Sequence, residues 1–172
     1  MMLMVVFIPV AITLRLATLA ISIRNEKNLL RNGATEYGAA TSTILALAHI
    51  GFYLAAIAEG VWREEPVSWI SWAGVVIYGL AMCALFWVIG TLGRLWTVKL
   101  IIARDHTLTT NRLFSLVRHP NYYLNIIPEL IGFALALQAF ATLIAGLPLY
   151  LIILAMRIRQ EESVMRRHFA DY

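Results

Sequence analysis

Charge and cysteine are what this chain has least of. Only 14% of its 172 residues are Asp, Glu, Lys or Arg, where a soluble domain carries about 25%. The other extreme is a 60% hydrophobic content, more than a water-exposed surface accommodates. The single cysteine, Cys83, excludes an intrachain disulfide and reads as a small apolar residue, buried or facing lipid. No Cys/His cluster offers zinc ligands. Neither a metal ion nor a nucleic acid is expected as a partner. No Gly-rich turn follows a strand, and no strand–helix alternation occurs at all, which excludes a soluble Rossmann-type domain. Linkers and low-complexity tracts are also missing, so residues 1–172 read as one domain. The apolar N-terminus lacks the basic start and small-residue cleavage site of a secretory signal and reads as a first membrane span.

What is present is a series of long apolar runs. Crossing the hydrocarbon takes roughly 20 apolar residues. Spans are expected at about 3–23, 41–59 and 67–90. Residues 91–120 carry Arg94, Lys99, Arg104, Asp105, Arg112 and Arg118 and cannot be a span. The run 121–156 is too long for one crossing, reaching roughly 54 Å as a helix. It reads as a tight hairpin turning near Gln138, with arms 121–138 and 139–156, and with Pro128 and Pro148 expected to kink them. The expected fold class is therefore all-α: a polytopic integral membrane protein of about five transmembrane helices, the last two forming a tight hairpin. Five crossings put twelve Lys and Arg residues on one side and only Arg63 on the other, with Arg15 inside a span. That bias places the N-terminus outside and the 91–120 loop and C-terminal tail in the cytosol, as in a bacterial inner membrane. Trp62, Trp69 and Trp72 would form an outer aromatic belt.

Two polar clusters flank the expected hairpin. The first is Arg118-His119-Pro120-Asn121-Tyr122-Tyr123. Pro120 suits a first helical turn, where its missing N–H has no partner to lose. Continued as a helix, Tyr122, Asn125 and Glu129 share a face. A carboxylate within a span is costly and needs a partner or a cavity, though Asn125 and Glu129 could simply bridge helices. The second cluster is Arg157-Ile158-Arg159-Gln160-Glu161-Glu162, in which Arg157 and Glu161, and Arg159 and Glu162, are helical neighbours. Alone it reads as a solvated helix end. The hairpin sets the two clusters side by side, giving a cytosolic pocket built from about 91–123 and 157–172.

Arg118-His119-Pro120-Asn121-Tyr122, then Arg157 with Glu161-Glu162 after one hairpin, then a Phe169 and Tyr172 ending, resembles the isoprenylcysteine carboxyl methyltransferase family. Membrane phospholipid methyltransferases share the general pattern. A second likeness runs through Asn25-Glu26, Glu36-Tyr37-Gly38, His49, Phe52-Tyr53 and Arg94-Leu95-Trp96-Thr97. These are similar to the bacterial branch that methylates alkylpyrones or alkylresorcinols. The resemblance implies S-adenosylmethionine as cofactor, leaving as S-adenosylhomocysteine, bound by His119, Pro120, Tyr122, Arg157, Glu161 and Glu162. It implies a lipophilic or prenylated acceptor drawn from the bilayer and methylated at a carboxyl or phenol/enol oxygen; a phospholipid amine is the alternative. Displacement at a sulfonium asks mainly for alignment at about 3–3.5 Å. A carboxylate acceptor needs only a cationic clamp, for which Arg94 and Arg118 are candidates. A phenol or enol is helped by a base, for which Glu129 and His119 are candidates, with Asn125 beside them.

Arg15, His49 and Glu59 are expected to pair within the bundle or snorkel, with His49 a hydrogen-bonded core residue. Lys99 and Arg104 could contact anionic headgroups. A reading from another class, a small transporter or a structural subunit, would use Arg15, His49, Glu59 and Glu129 as a transbilayer path. The concentration of polar residues at one side and the lack of an inverted repeat argue against it.

Overall fold

The computed structural model describes residues 2–102 and 119–168. The described chain is all-α apart from one small ribbon. Helix α1 spans Met2–Arg31, α2 Ala39–Arg63 and α3 Trp69–Leu92. Helix α4, Ile127–Ala136, and helix α5, Leu147–His168, complete the bundle. Among the described residues four segments are long and apolar enough to cross a membrane: Leu3–Arg31, Ala39–Arg63, Trp69–Leu95 and Thr142–His168. Helix α1 runs well past the expected boundary at 23, because nothing between Arg24 and Arg31 breaks a helix; the chain turns only at Gly33, with φ 81°.

Before α4 and α5 the backbone widens into π-helical turns, over Asn121–Ile126 and Thr142–Gly146. Each lies just ahead of one of the two prolines expected to kink the arms. Pro128 and Pro148 have no N–H to donate and crowd the preceding turn, and a wider turn relieves that crowding. Between the two arms the helix stops at Leu137, and Gln138 takes a left-handed conformation, φ 54°. Gln138 Nε2 donates to Pro66 O at 2.8 Å and its Oε1 accepts from Ser68 Oγ at 3.2 Å. Glu59 accepts from the N–H groups of Ala141 and Thr142 at 2.8 and 2.7 Å, satisfying donors that a helix start leaves open. Residues 59–68 and 137–142 thus share one end of the bundle.

The opposite end carries the feature that the sequence reading lacks. Strands β1 (Thr35–Tyr37) and β2 (Leu100–Ile102) pair antiparallel, Glu36 opposite Ile101. Leu29 of α1 packs against Ile101 beneath them. Three-residue strands leave no periodicity to read. The ribbon ties the start of α2 to the segment leaving α3.

Helices α3 and α4 touch backbone to backbone. A Cβ added at Gly74 would lie 2.2 Å from Ala136 N, and one at Gly132 would lie 2.5 Å from Tyr78 N. Close approach through small residues is the usual way membrane helices gain packing without a hydrophobic drive between them. Around this crossing Phe7, Tyr53, Tyr78 and Phe133 fill the centre, with the rings of Tyr53 and Phe133 stacked at 3.9 Å. Trp62, Trp69 and Trp72 are exposed, and so is Cys83.

Candidate active site

The polar side chains gather in two layers. The first lies at the ribbon end. Pro120 opens the helix that holds Tyr122, with Tyr122 N donating to His119 O at 3.0 Å. The His119 ring, 6% exposed, sits between two carboxylates: Nδ1 is 3.6 Å from Glu161 Oε1 and Nε2 is 3.5 Å from Glu162 Oε1. It stacks on Tyr122 with ring centres 5.5 Å apart. The Tyr122 hydroxyl donates to Glu161 Oε2 at 2.6 Å and accepts from Arg157 Nε at 3.5 Å. Arg157 is buried and also donates to Ser42 Oγ at 2.9 Å and Val98 O at 3.4 Å. Burial pushes the His119 pKa down, but contact with Glu161 and Glu162 outweighs it, so the imidazolium is favoured beyond its ordinary range.

Several buried polar atoms here have no hydrogen-bond partner: both ring nitrogens of His119, Asn121 Oδ1, Trp96 Nε1 and Gln160 Oε1. Buried polar groups are nearly always satisfied, so a cluster of unsatisfied ones suits a polar ligand. Asn25 fixes the neighbouring backbone by donating to Gly93 O and Trp96 O at 3.0 and 2.8 Å. At Gly38, where φ is 62°, a Cβ would fall 2.3 Å from the Gln160 amide, so only glycine lets this corner close over the last helix.

The second layer is deeper. Glu129, fully buried, pairs with Arg15 through both carboxylate oxygens and accepts from the Tyr53 hydroxyl. His49 Nε2 lies 3.5 Å from Glu129 Oε1, and its Nδ1 is 3.4 Å from the Tyr150 hydroxyl. Tyr53 reaches Tyr78 at 3.4 Å. Every one of the five helices contributes a member. Between the layers Asn125, fully buried, donates to Ala81 O at 3.1 Å and leaves Oδ1 without a partner.

All six residues expected at the cofactor are brought to the first layer, and Tyr122, Asn125 and Glu129 are buried together as their spacing implies. Arg118, expected as a cationic clamp, lies outside the described residues, as do Arg104, Phe169 and Tyr172. Arg94 sits in the short turn Gly93–Leu95. Within the last helix Glu162 pairs with Arg166, one turn on, and Arg157 reaches Glu161 through the Tyr122 hydroxyl. One expectation is corrected. Lys99 is held by Glu26 and Glu36 rather than offered to headgroups, and the Glu26 contact above all raises its pKa. Ser42, Trp96, Asn121 and Gln160 were not singled out by sequence. Trp96, Asn121 and Gln160 stand inside motifs without a role of their own and Ser42 stands in none; small polar residues give no signal until the fold assembles them.

The sequence was compared with known proteins. It is 48% identical over 158 residues to an uncharacterized protein of Haemophilus influenzae, covering 92% of each chain. It is 28% identical over 163 residues to the uncharacterized protein YpbQ of Bacillus subtilis, covering 94% of this chain and 95% of that one. No solved structure matches. The model of the isoprenylcysteine carboxyl methyltransferase family matches residues 72–167, which include both walls of the His119 layer. The chain belongs to the isoprenylcysteine carboxyl methyltransferase family of membrane methyltransferases.

Proposed function

We propose that this protein is an S-adenosylmethionine-dependent methyltransferase acting on a lipophilic acceptor at a carboxyl or phenol/enol oxygen. One observation carries the reading: a buried imidazole bracketed by two carboxylates, with both nitrogens lacking hydrogen bonds, inside the region matched to the family. In this reading the chain crosses the bilayer five times, its last two segments make a hairpin around Gln138, and the N-terminus faces outward. The twelve-to-one bias of Lys and Arg supports that orientation. The His119 layer then faces the cytosol, where the cofactor is dissolved, while the acceptor stays in the bilayer.

When bound, the cofactor supplies an activated methyl group on a sulfonium. The residues do the rest. Glu161, aligned by Tyr122 and through it by Arg157, offers a carboxylate to hydroxyl, ammonium or sulfonium groups. The faces of His119 and Tyr122 suit a flat ring or a cation. Pro120 and Asn121 shape the opening turn, and Glu162 backs His119. Asn125 and Glu129 stand on the acceptor's side, and the cationic clamp is assigned to Arg118.

Calorimetric titration of S-adenosylhomocysteine into detergent-purified protein tests this. Wild type should bind in the micromolar range, and His119→Ala and Glu161→Ala should lose binding while keeping their helical content. A folded wild type that binds no S-adenosylhomocysteine would overturn the reading.

A further inference from the structure

The deeper layer is an expensive way to join helices. An ion pair and four more polar side chains inside apolar spans are expensive and mark function more often than packing. Its depth is consistent along three helices. Tyr122 and Glu129, Ser42 and His49, and Arg157 and Tyr150 are each seven residues apart. One member of every pair belongs to the first layer and the other to the second. Seven residues are about 10 Å of α-helix, so the second layer lies about two turns inside the first on α2 and α5, and a like step runs through the widened turn into α4.

Within this layer Glu129 is fully committed, its two oxygens facing Arg15 and Tyr53. His49 is not. Its ring stacks on Tyr53 at 5.0 Å. Its Nε2 is turned toward Glu129, and its Nδ1 meets only the Tyr150 hydroxyl, at 3.4 Å, longer than an ordinary hydrogen bond to oxygen. The side chains of His49 and Arg15 remain 19% and 23% exposed while that of Glu129 is sealed. The layer is therefore reachable on its His49 and Arg15 side.

We propose that the deeper layer seats the polar head of the acceptor and that His49 is the catalytic residue that takes its proton; the inference rests on the methyltransferase reading above. Glu129 is a positioning residue. It holds the Nε2–H tautomer of His49, as a carboxylate orients imidazole in hydrolytic triads, and this leaves the Nδ1 lone pair facing only the long Tyr150 hydroxyl contact, which the acceptor's own hydroxyl displaces. The acceptor is then a hydroxyl acid, a phenol or enol on an apolar chain, because a carboxylate arrives already ionised and leaves His49 without a task. The O–H bond breaks and its proton moves to Nδ1. The electron pair stays on oxygen and forms the bond to the methyl carbon, while the carbon–sulfur pair departs with sulfur. Arg15 and Glu129 cancel each other's charge, so the new imidazolium faces the acceptor's oxyanion. The groups that face His49 are Arg15, Tyr53, Glu129 and Tyr150; Tyr78 reaches it only through Tyr53.

The test uses dodecyl-substituted 4-nitrophenol, whose phenolate absorbs visible light, titrated with pH in detergent with and without the full-length protein. Wild type should lower the midpoint of phenolate formation relative to empty micelles by about one pH unit, a tenfold shift. His49→Gln keeps a side chain that can face Glu129 but supplies no base, and should abolish the shift while S-adenosylhomocysteine binding is retained. No shift with wild type, or the same shift with His49→Gln, overturns the assignment while leaving the cofactor reading intact. Loss of S-adenosylhomocysteine binding by wild type removes both.

Discussion

Tyr122→Phe removes one oxygen from the centre of the His119 layer and little else. The phenyl ring keeps its stack on His119, since that contact lies between ring faces 5.5 Å apart. What disappears is the 2.6 Å donation to Glu161 and the long 3.5 Å acceptance from Arg157. A hydrogen bond to a charged group contributes about 1.5–3 kcal/mol. The Glu161 side chain is 26% exposed, so water can partly replace the lost donor, and the lower value applies. Arg157 keeps Ser42 and Val98. The expected result is an S-adenosylhomocysteine Kd about tenfold weaker, corresponding to about 1.4 kcal/mol, with thermal stability in detergent lowered by about 1 kcal/mol. Calorimetry alongside a thermal unfolding scan separates the two effects. A Kd within twofold of wild type would refute the claim that Tyr122 aligns Glu161 for the cofactor.

Three further outcomes follow from the geometry. His119 has a raised pKa in the fold, so the stability from its carboxylate contacts is fully present below about pH 6.5 and is lost as pH rises through the raised value. Unfolding scans from pH 6 to 9 should show wild type losing its advantage over His119→Asn across that window, and parallel curves would contradict the assignment. Gly74→Ala forces a Cβ to within 2.2 Å of backbone at Ala136 and should cost about 1–3 kcal/mol, whereas Gly79→Ala meets nothing within 4 Å and should be near neutral; equal unfolding temperatures would refute the close crossing. Replacing the buried pair together, Arg15→Met with Glu129→Leu, should leave stability within about 2 kcal/mol of wild type, while Arg15→Met alone should cost about 3 kcal/mol because Glu129 is left buried and unpaired.

Apolar run length made the four long apolar helices legible, and the spacing of Tyr122, Asn125 and Glu129 made their shared burial legible. Both depend on repeating helical geometry. Pro128 and Pro148 announced irregular backbone, though not that it takes the form of widened turns. The partner of Arg15 was half readable: two opposite charges inside separate spans each need a counter-ion, but pairing across more than a hundred residues is set by helix rotation, which composition does not encode. The β1–β2 ribbon was not readable. Thr35-Glu36-Tyr37 has no alternation long enough to register, and its pairing depends on α1 extending to Arg31 to carry Leu29 beneath it. The roles of Ser42 and Gln160 depend on that ribbon in turn, since it seats Gly38 and the start of α2 against α5.

The spacing of the two layers follows from the different solvents that donor and acceptor occupy. A single polar layer at the cytosolic mouth would draw the acceptor's head, and the first methylenes behind it, out of the hydrocarbon. Each methylene so exposed costs about 0.8 kcal/mol. A receiving layer two helical turns further in spares several of them and leaves the water-soluble donor where it dissolves. The same depth makes an acceptor's hydroxyl hard to ionise, because no water is at hand to take the proton. A histidine held by a carboxylate that is itself neutralised by an arginine meets that need without leaving a net charge in the bilayer before the acceptor arrives. On this argument Arg15 serves the site by pairing with Glu129 and fixing it against His49, and the fold bears the desolvation of that pair because the proton acceptor depends on it.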